Sequence, residues 1–386
     1  MKVAMVVSHL DEDIGGHEYY LCRELAALRY DVMLYTSDRN VPGYPGYKEH
    51  LKCKEYELAG FRVRRVSAFL QVSHIPLMPG LSGELRKDKP DIIHSHEFFQ
   101  LCSFYSAKVA KQLGVPFILT QHGYKKPLNK MLWLPYWLCE KTVGKYVMKH
   151  TDRIIALTSD VKEQLVGNNV VESKVEVITT GVSTELYSPS ADSILPQYGI
   201  TGEDKVVLFV GRLVENKGVS YLLKAFAKVK EVVAKAKLVL VGSGELENYC
   251  KNLATQLGVS GSVLFLGNFP QKIMPQLYSG AHVFVLPTIY KEPFGIAAAE
   301  ALASGVPVIA SNLDGLKVIV EDSEVGYLVS PGHVNDLTTR MVRLLTNEKL
   351  RANMSQNARR RAIEKFSWTA KATKIAEIYE SARKAS

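Results

Sequence analysis

Short runs of β-branched and other apolar residues recur along the chain, and stretches with helical spacing lie between several of them. The runs at 2–8 (KVAMVVS), 31–37 (DVMLYTS), 91–95 (DIIHS), 116–120 (PFILT) and 153–158 (RIIALT) are nearly continuous rather than alternating. Continuous apolar runs of this length read as strands buried on both faces, the habit of parallel sheets. Residues 17–29 place Tyr20, Leu21, Leu25 and Leu28 on one side of a helix, and residues 99–113 do the same with Leu101, Tyr105, Val109 and Leu113. Strand, helix and strand in this order predict a doubly wound sheet.

The pattern then restarts. KVVLFVG (205–211), KLVLVGS (237–243), VLFLG (263–267), HVFVLPT (282–288) and PVIAS (307–311) form a second strand set, with helical stretches at 218–234, 245–257 and 333–345. Between the sets, residues 183–204 are polar and carry two prolines and two glycines, which reads as a linker. The tail, 347–386, reads as two helices parted near Phe366-Ser367-Trp368, with Ser367 as N-cap of the last. No internal repeat is visible. The expected division is a Rossmann-like domain over 1–187, a second over 188–365, and a closing helix over 366–386. If the two sheets face each other, ligands belong at the C-terminal ends of both strand sets.

Length agrees with two cores, since 386 residues exceed one ordinary domain of about 150–200. A 47% hydrophobic and 23% charged composition excludes a wholly disordered chain. No window approaches the roughly 18 apolar residues of a membrane span. The run Val3–Val7 is too short for a signal-peptide core, and acids follow at Asp11, Glu12 and Asp13, so a cytoplasmic protein is expected. Five scattered cysteines without a C-x-x-C pair argue for reduced thiols, not disulfides or a zinc site. The net charge of +9 suits a phosphate-bearing ligand or an anionic surface. No nucleic-acid-binding pattern accompanies it.

Four places carry chemistry. Gly15-Gly16 opens the first helix after strand one, where free backbone N–H groups can approach a ligand; a plain tight turn explains the pair equally well. Asp11-Glu12-Asp13 could be read as a metal-binding D-x-D but suits a solvated acidic loop better, and no metal is expected. GRLVENKG, 211–218, follows a buried strand and offers Arg212 as a planar fork and Lys217 as a point charge, two cations matched to a diphosphate leaving group; two exposed cations beside a helix N-terminus explain the spacing equally well. KEPFGIAAAEALASGVPVIAS, 291–311, sets Glu292 at a helix mouth and Glu300 about a turn and a half inside. There the N–H groups of Phe294, Gly295 and Ile296 are free for an anion or a sugar hydroxyl; the structural alternative makes Glu292 a capping acid and Glu300 the buried partner of an arginine. At the end of a first-domain strand, Thr120-Gln121-His122-Gly123 points a histidine into the cleft, and His94 and His96 sit similarly after residues 91–93; for each alone, a satisfied polar residue is the alternative.

Together these residues resemble the retaining nucleotide-sugar glycosyltransferases of family 4, with the GT-B fold of two Rossmann-like domains facing a cleft. In chain order the resemblance rests on Gly15-Gly16-His17-Glu18, DIIHSH, TQHG, TTGV, GRLVENKG, VGSGE, EPFGIAAAE, ASGVPVIAS, GYLVSP and the closing FSW helix. It implies that Gly211, Arg212 and Lys217 hold the donor diphosphate, with Gly15 and Gly16 close to the phosphates. Glu300 would bind the ribose and Glu292 the sugar hydroxyls. Phe294, Gly295 and Ile296 would supply main-chain contacts, and His122 would touch the sugar near the reacting carbon. The base would lie near Gly242-Ser243-Gly244 and Asn268-Phe269-Pro270, and the last helix would return to the first domain. His94, His96 and Tyr124 are candidates for the acceptor cleft. Two departures from the family pattern stand out: Thr180-Gly181-Val182-Ser183 where Asn-Gly-Val-Asp is usual, and Asp314-Gly315-Leu316-Lys317-Val318 where Gly-Gly-Leu-Pro-Glu is usual.

The expected reaction is retaining transfer of a hexosyl group from a UDP-glucose or GDP-mannose type donor to a hydroxyl acceptor, with no cofactor required. A nucleotide-sugar epimerase on the same fold and a non-catalytic sugar-nucleotide binder are the alternatives. The acceptor is a sugar or a lipid-linked hydroxyl. Residues 124–149 mix lysines with Trp133, Leu134, Tyr136 and Trp137. They suit either a peripheral contact at the inner membrane face or a helix lining the acceptor cleft. Base, hexose, linkage and oligomeric state are not legible.

Overall fold

The computed structural model describes residues 1–10, 16–39, 51, 55–72, 75–123, 137–189, 192–290, 292 and 294–385. The chain divides into two compact units, Met1–Thr180 with Trp368–Ser386, and Gly181–Ser367.

The first unit is built on an eight-stranded sheet. Its strands are β1 (Lys2–Val6), β2 (Asp31–Ser37), β3 (Glu55–Leu58), β4 (Phe61–Val66), β7 (Ile92–His96), β8 (Phe117–Gln121), β9 (Arg153–Ala156) and β10 (Val175–Val177). A short hairpin, β5 (Leu70–Val72) with β6 (Ile75–Leu77), stands apart. The spatial order is β10-β9-β8-β7-β1-β2-β4-β3. All pairs are parallel except β3 with β4. Val3 through Val6 are buried, as a central parallel strand requires. The order reverses between β1 and β7, so the C-terminal ends of these two strands flank a topological switch point.

Helices fall where the periodicity put them. His17–Ala27 occupies the predicted 17–29, and Leu101–Leu113 ends at Gly114, a left-handed C-cap with φ 66°. The last helix, Trp368–Ala385, buries Trp368, Ala372, Ile375, Ala376 and Tyr379 along one stripe in the same core as Leu21 and Leu25 of His17–Ala27. Ser367 is extended immediately before it, the backbone of an N-cap.

The second unit holds six parallel strands: β11 (Lys205–Val210), β12 (Ala236–Val241), β13 (Val263–Gly267), β14 (Val283–Leu286), β15 (Val308–Ser311) and β16 (Gly326–Val329). Their order is β13-β12-β11-β14-β15-β16, with the switch point between β11 and β14. The helices Val219–Val232, Glu247–Gln256 and Val334–Thr346 match the predicted stretches.

The reading of 183–204 as a linker is corrected. Tyr187, Leu195 and Ile200 are buried in the second unit's core, and the division between units falls earlier, at Thr180 and Gly181. Polar composition concealed three apolar anchors spaced through that stretch. The strands β3, β4, β10 and β16 were not anticipated. Three are only three or four residues long, and β3 is an edge strand of alternating exposure. Among the described cysteines all four are free, with Cys22, Cys102 and Cys250 buried.

Candidate functional site

In the second unit the predicted residues collect at the switch point. Arg212 and Lys217 lie on the turn leaving β11, and Thr288, Glu292 and Gly295 on the turn leaving β14. Two glycines make this approach feasible. Gly218 has φ 68°, and a Cβ there would stand 2.0 Å from the Pro287 carbonyl oxygen. Gly295 has φ 84°, and a Cβ would stand 2.5 Å from Leu316 Cδ2. Gly295 is the N-cap of Ile296–Ala303, and its carbonyl accepts from the Ala298 N–H at 2.9 Å. Among the described residues no backbone partner is seen for the N–H groups of Gly295 and Ile296. They belong to the end of a helix that favours negative charge.

The charges are arranged unequally. Lys217 Nζ pairs with Glu292 Oε2, both largely buried, and the Thr288 hydroxyl donates to the same oxygen at 3.3 Å. Arg212 is exposed, and no ion pair with it is seen among the described residues. Glu300 lies on the fifth position of Ile296–Ala303 and accepts from Tyr278 Oη at 2.8 Å. Burial pushes its carboxyl up to about 7, against the opposing hydrogen bonds of Tyr278 and Tyr187. Beyond β12 and β13, Asn268 Nδ2 donates to Ser243 Oγ at 2.8 Å, and Tyr198 meets the Phe269 ring edge-on. Gly244 sits tightly over the Leu213 backbone, and Pro270 follows Phe269 as the cap of a short turn.

In the first unit a second cluster forms at the ends of β1, β7 and β8. His96 Nδ1 and His122 Nε2 are 2.9 Å apart, so one ring donates to the other. Glu18 Oε1 is 3.3 Å from His96 Nδ1 and 3.5 Å from His122 Nε2. Burial opposes ionisation of Glu18, but the hydrogen bond from His96 and the charges of His96, His122 and His17 hold its carboxyl well below the usual range. His17 lies edge-on to His122 and to Trp368, and its Nδ1 is 3.2 Å from Thr180 Oγ1. Among the described residues its buried Nε2 has no hydrogen-bond partner, and burial, then His122, pushes the ring's pKa well down. Gly16 is the N-cap of this helix in ordinary extended backbone, and a Cβ would come within 3.3 Å of Glu18 Oε2. Gln121 fixes the exit that carries His122. Its amide nitrogen donates to Glu97 Oε2 and to the Gly123 carbonyl, each at 2.7 Å, and its oxygen accepts from the Phe98 N–H.

One assignment fails. His94 is fully buried, with Nδ1 2.5 Å from Tyr379 Oη and Nε2 2.8 Å from Thr120 Oγ1. It is a satisfied core histidine, because successive residues of β7 point to opposite sides and both sides are covered. Gly15, Tyr124 and residues 124–136 lie outside the described residues. Trp137 and Leu138, which follow, are helical and exposed. The sequence reading gave no role to His17, Glu18, Gln121, Tyr278 or Thr288. His17 and Glu18 stood in the quoted glycine motif, but a histidine and a glutamate beside a glycine pair carry no signal until β7 and β8 are brought alongside. The departures from the family pattern are accounted for locally: Thr180 meets His17, Ser183 Oγ donates to Glu185, and Lys317 pairs with Asp314.

Comparison with known proteins agrees with both halves. The family model described as Glycosyltransferase Family 4 matches residues 14–186, and the one described as Glycosyl transferases group 1 matches 190–361. An uncharacterized glycosyltransferase of Methanocaldococcus jannaschii is 30% identical, covering 99% of this chain and 98% of its own. A D-inositol 3-phosphate glycosyltransferase of Corynebacterium aurimucosum is 30% identical over 76% of this chain and 72% of its own. Among solved structures, Anabaena Alr3699/HepE in complex with UDP superposes with a TM-score of 0.74 at 21% identity, covering 99% of this chain and 100% of that one.

Proposed function

The chain belongs to glycosyltransferase family 4, with the GT-B fold, and on that premise we propose that it moves a hexosyl group from a nucleoside diphosphate sugar to a hydroxyl with retention at the anomeric carbon. The observation that carries this reading is the convergence of Arg212, Lys217, Glu292 and the Gly295 helix start on the β11/β14 switch point. This is a place for a diphosphate with a sugar beside it.

Departure of the nucleoside diphosphate leaves negative charge on phosphate oxygens. Arg212 is assigned to that charge directly, since among the described residues no carboxylate engages its fork. Lys217 is shared between the leaving group and Glu292, so the ion pair sets the position of both. Glu292 accepts from sugar hydroxyls with its remaining lone pairs, and Thr288 holds its orientation. Glu300 accepts from the ribose, with Tyr278 fixing its rotamer. Asn268, Phe269 and Ser243 are assigned to the base. His122 is assigned to the sugar near the reacting carbon, and the first unit to the acceptor. The oxocarbenium-like transition state is met by fixed cations and helix N–H groups, with no cofactor called for. The relative from Corynebacterium acts, by its name, on D-inositol 3-phosphate, and a phosphorylated polyol is an acceptor class to include in screening.

The test is turnover. The protein is incubated with UDP-, GDP- and ADP-linked glucose and mannose and a panel of sugar, polyol phosphate and lipid-linked acceptors, and release of nucleoside diphosphate is followed. One donor should be consumed in an acceptor-dependent manner, and the anomeric coupling constant of the product should match that of the donor. Acceptor-independent release of an isomerised sugar would identify an epimerase instead, and binding without turnover a sensor.

A further inference from the structure

We propose that Glu18, His96 and His122 form a binding site for a transition-metal ion of the zinc type. The three offer one ligand atom each, all within 4.8 Å of one another. The separations are 2.9 Å between His96 Nδ1 and His122 Nε2, 3.3 Å between His96 Nδ1 and Glu18 Oε1, and 3.5 Å between His122 Nε2 and Glu18 Oε1. Zinc bonds of about 2.0–2.1 Å place tetrahedral ligand atoms about 3.3–3.4 Å apart. The triangle is therefore close to one face of such a tetrahedron, and only the histidine–histidine edge must open, by roughly 0.4 Å. Two imidazoles and a carboxylate with the fourth position open are the donor set of a substrate-accessible zinc site. Imidazole ligands also select against magnesium and calcium.

The ligands are held by separate, well-packed elements: the first turn of His17–Ala27, the last residue of β7 and the exit of β8. His96 is fixed in orientation, with Nε2 3.3 Å from Met5 Sδ and its ring stacked on His94, which Tyr379 and Thr120 pin in turn. Its other nitrogen, Nδ1, is thereby presented to Glu18 and His122. The site is not sealed, because the Glu18 and His122 side chains are 22% and 29% exposed. An ion on His122 Nε2 would engage the residue assigned above to the donor sugar, so zinc would inhibit transfer. That consequence rests on the proposed function, whereas the binding itself does not.

Tag-free, chelator-treated protein is titrated with zinc by calorimetry, and with cobalt by visible ligand-field absorption. One ion per chain is expected, with tetrahedral cobalt bands that zinc abolishes. Glu18→Gln and His122→Gln should each weaken binding by more than about tenfold, since changes to residues that merely orient a metal ligand already cost about 10–100-fold. His150→Gln, outside the cluster, should leave it unaltered. X-ray absorption on zinc-loaded wild type should show two imidazoles and a carboxylate oxygen, a readout that needs neither a folded variant nor activity. Absence of stoichiometric binding, full affinity in folded Glu18→Gln and His122→Gln, or an imidazole count other than two would overturn the proposal.

Discussion

Arg212 and Lys217 are both cations on one turn, yet they stand in different circumstances. Lys217 is tied to Glu292, while Arg212 is exposed and available for a ligand. Arg212→Ala should leave the melting temperature nearly unchanged and cost about 3–4 kcal/mol in transition-state stabilisation, read as a loss of kcat/KM. Lys217→Ala should cost stability as well, because it leaves the largely buried Glu292 unpaired. Glu300 gives a prediction of the opposite sense. Its carboxyl titrates at about 7 in the folded chain against an ordinary 4.5, so folding favours the protonated form. That contribution is present below the ordinary value and is lost as pH rises through about 7. Glu300→Gln should therefore gain in melting temperature relative to wild type as pH rises from about 5 to about 8. The same variant should bind the donor more weakly at the upper end, since ribose hydroxyls bond more strongly to an ionised carboxylate than to a neutral amide.

At the scale of elements, strand exits decide the chemistry. Gly218→Ala would drive a Cβ into the Pro287 carbonyl in a left-handed backbone, and Gly295→Ala would drive one into Leu316. Each should cost more than about 1–3 kcal/mol by chemical denaturation and lower donor affinity. A melting curve coincident with wild type in either variant would contradict this close packing of the two turns. Much of this scale was legible beforehand. The continuous runs became β1, β2, β7–β9 and β11–β15, and the strand-exit motifs marked Arg212, Lys217 and Glu292. What stayed hidden depends on tertiary neighbours. His94 and His96 look alike in sequence, but only the fold reveals that Tyr379, 285 residues on, satisfies one of them. Tyr278 gives no sign of its bond to Glu300 until the helices Met274–Tyr278 and Ile296–Ala303 are placed.

For the whole molecule, chain order and compact units disagree, because the final helix completes the first unit. Trp368→Ala removes a ring that stacks on Tyr20 and meets His17, and should destabilise that unit by about 3–5 kcal/mol. Hydrogen exchange should show the loss across β1 and His17–Ala27, with the second unit's amides retaining their protection. The two-unit plan was readable from the restart of the strand pattern, whereas the boundary was not, since Tyr187, Leu195 and Ile200 lie in a stretch that composition marks as polar. No helix among the described residues is long and apolar enough to cross a membrane. Trp137 and Leu138 are exposed, and the sequence over 101–150 holds eight lysines and one acid, the composition expected of a contact with anionic lipid. Flotation with anionic vesicles at low and high salt tests that contact, and retention only at low salt would support it.

The central claim is that the second unit holds a nucleoside diphosphate sugar on side chains and helix N–H groups. Its most direct test is calorimetric titration of wild type and Arg212→Ala with UDP, GDP, ADP and their glucose and mannose conjugates in the presence of EDTA. Ligands of one base should bind to wild type without metal, and Arg212→Ala, equally folded, should lose about tenfold or more of that affinity. No binding of any of these by folded wild type, or undiminished binding by Arg212→Ala, would contradict it.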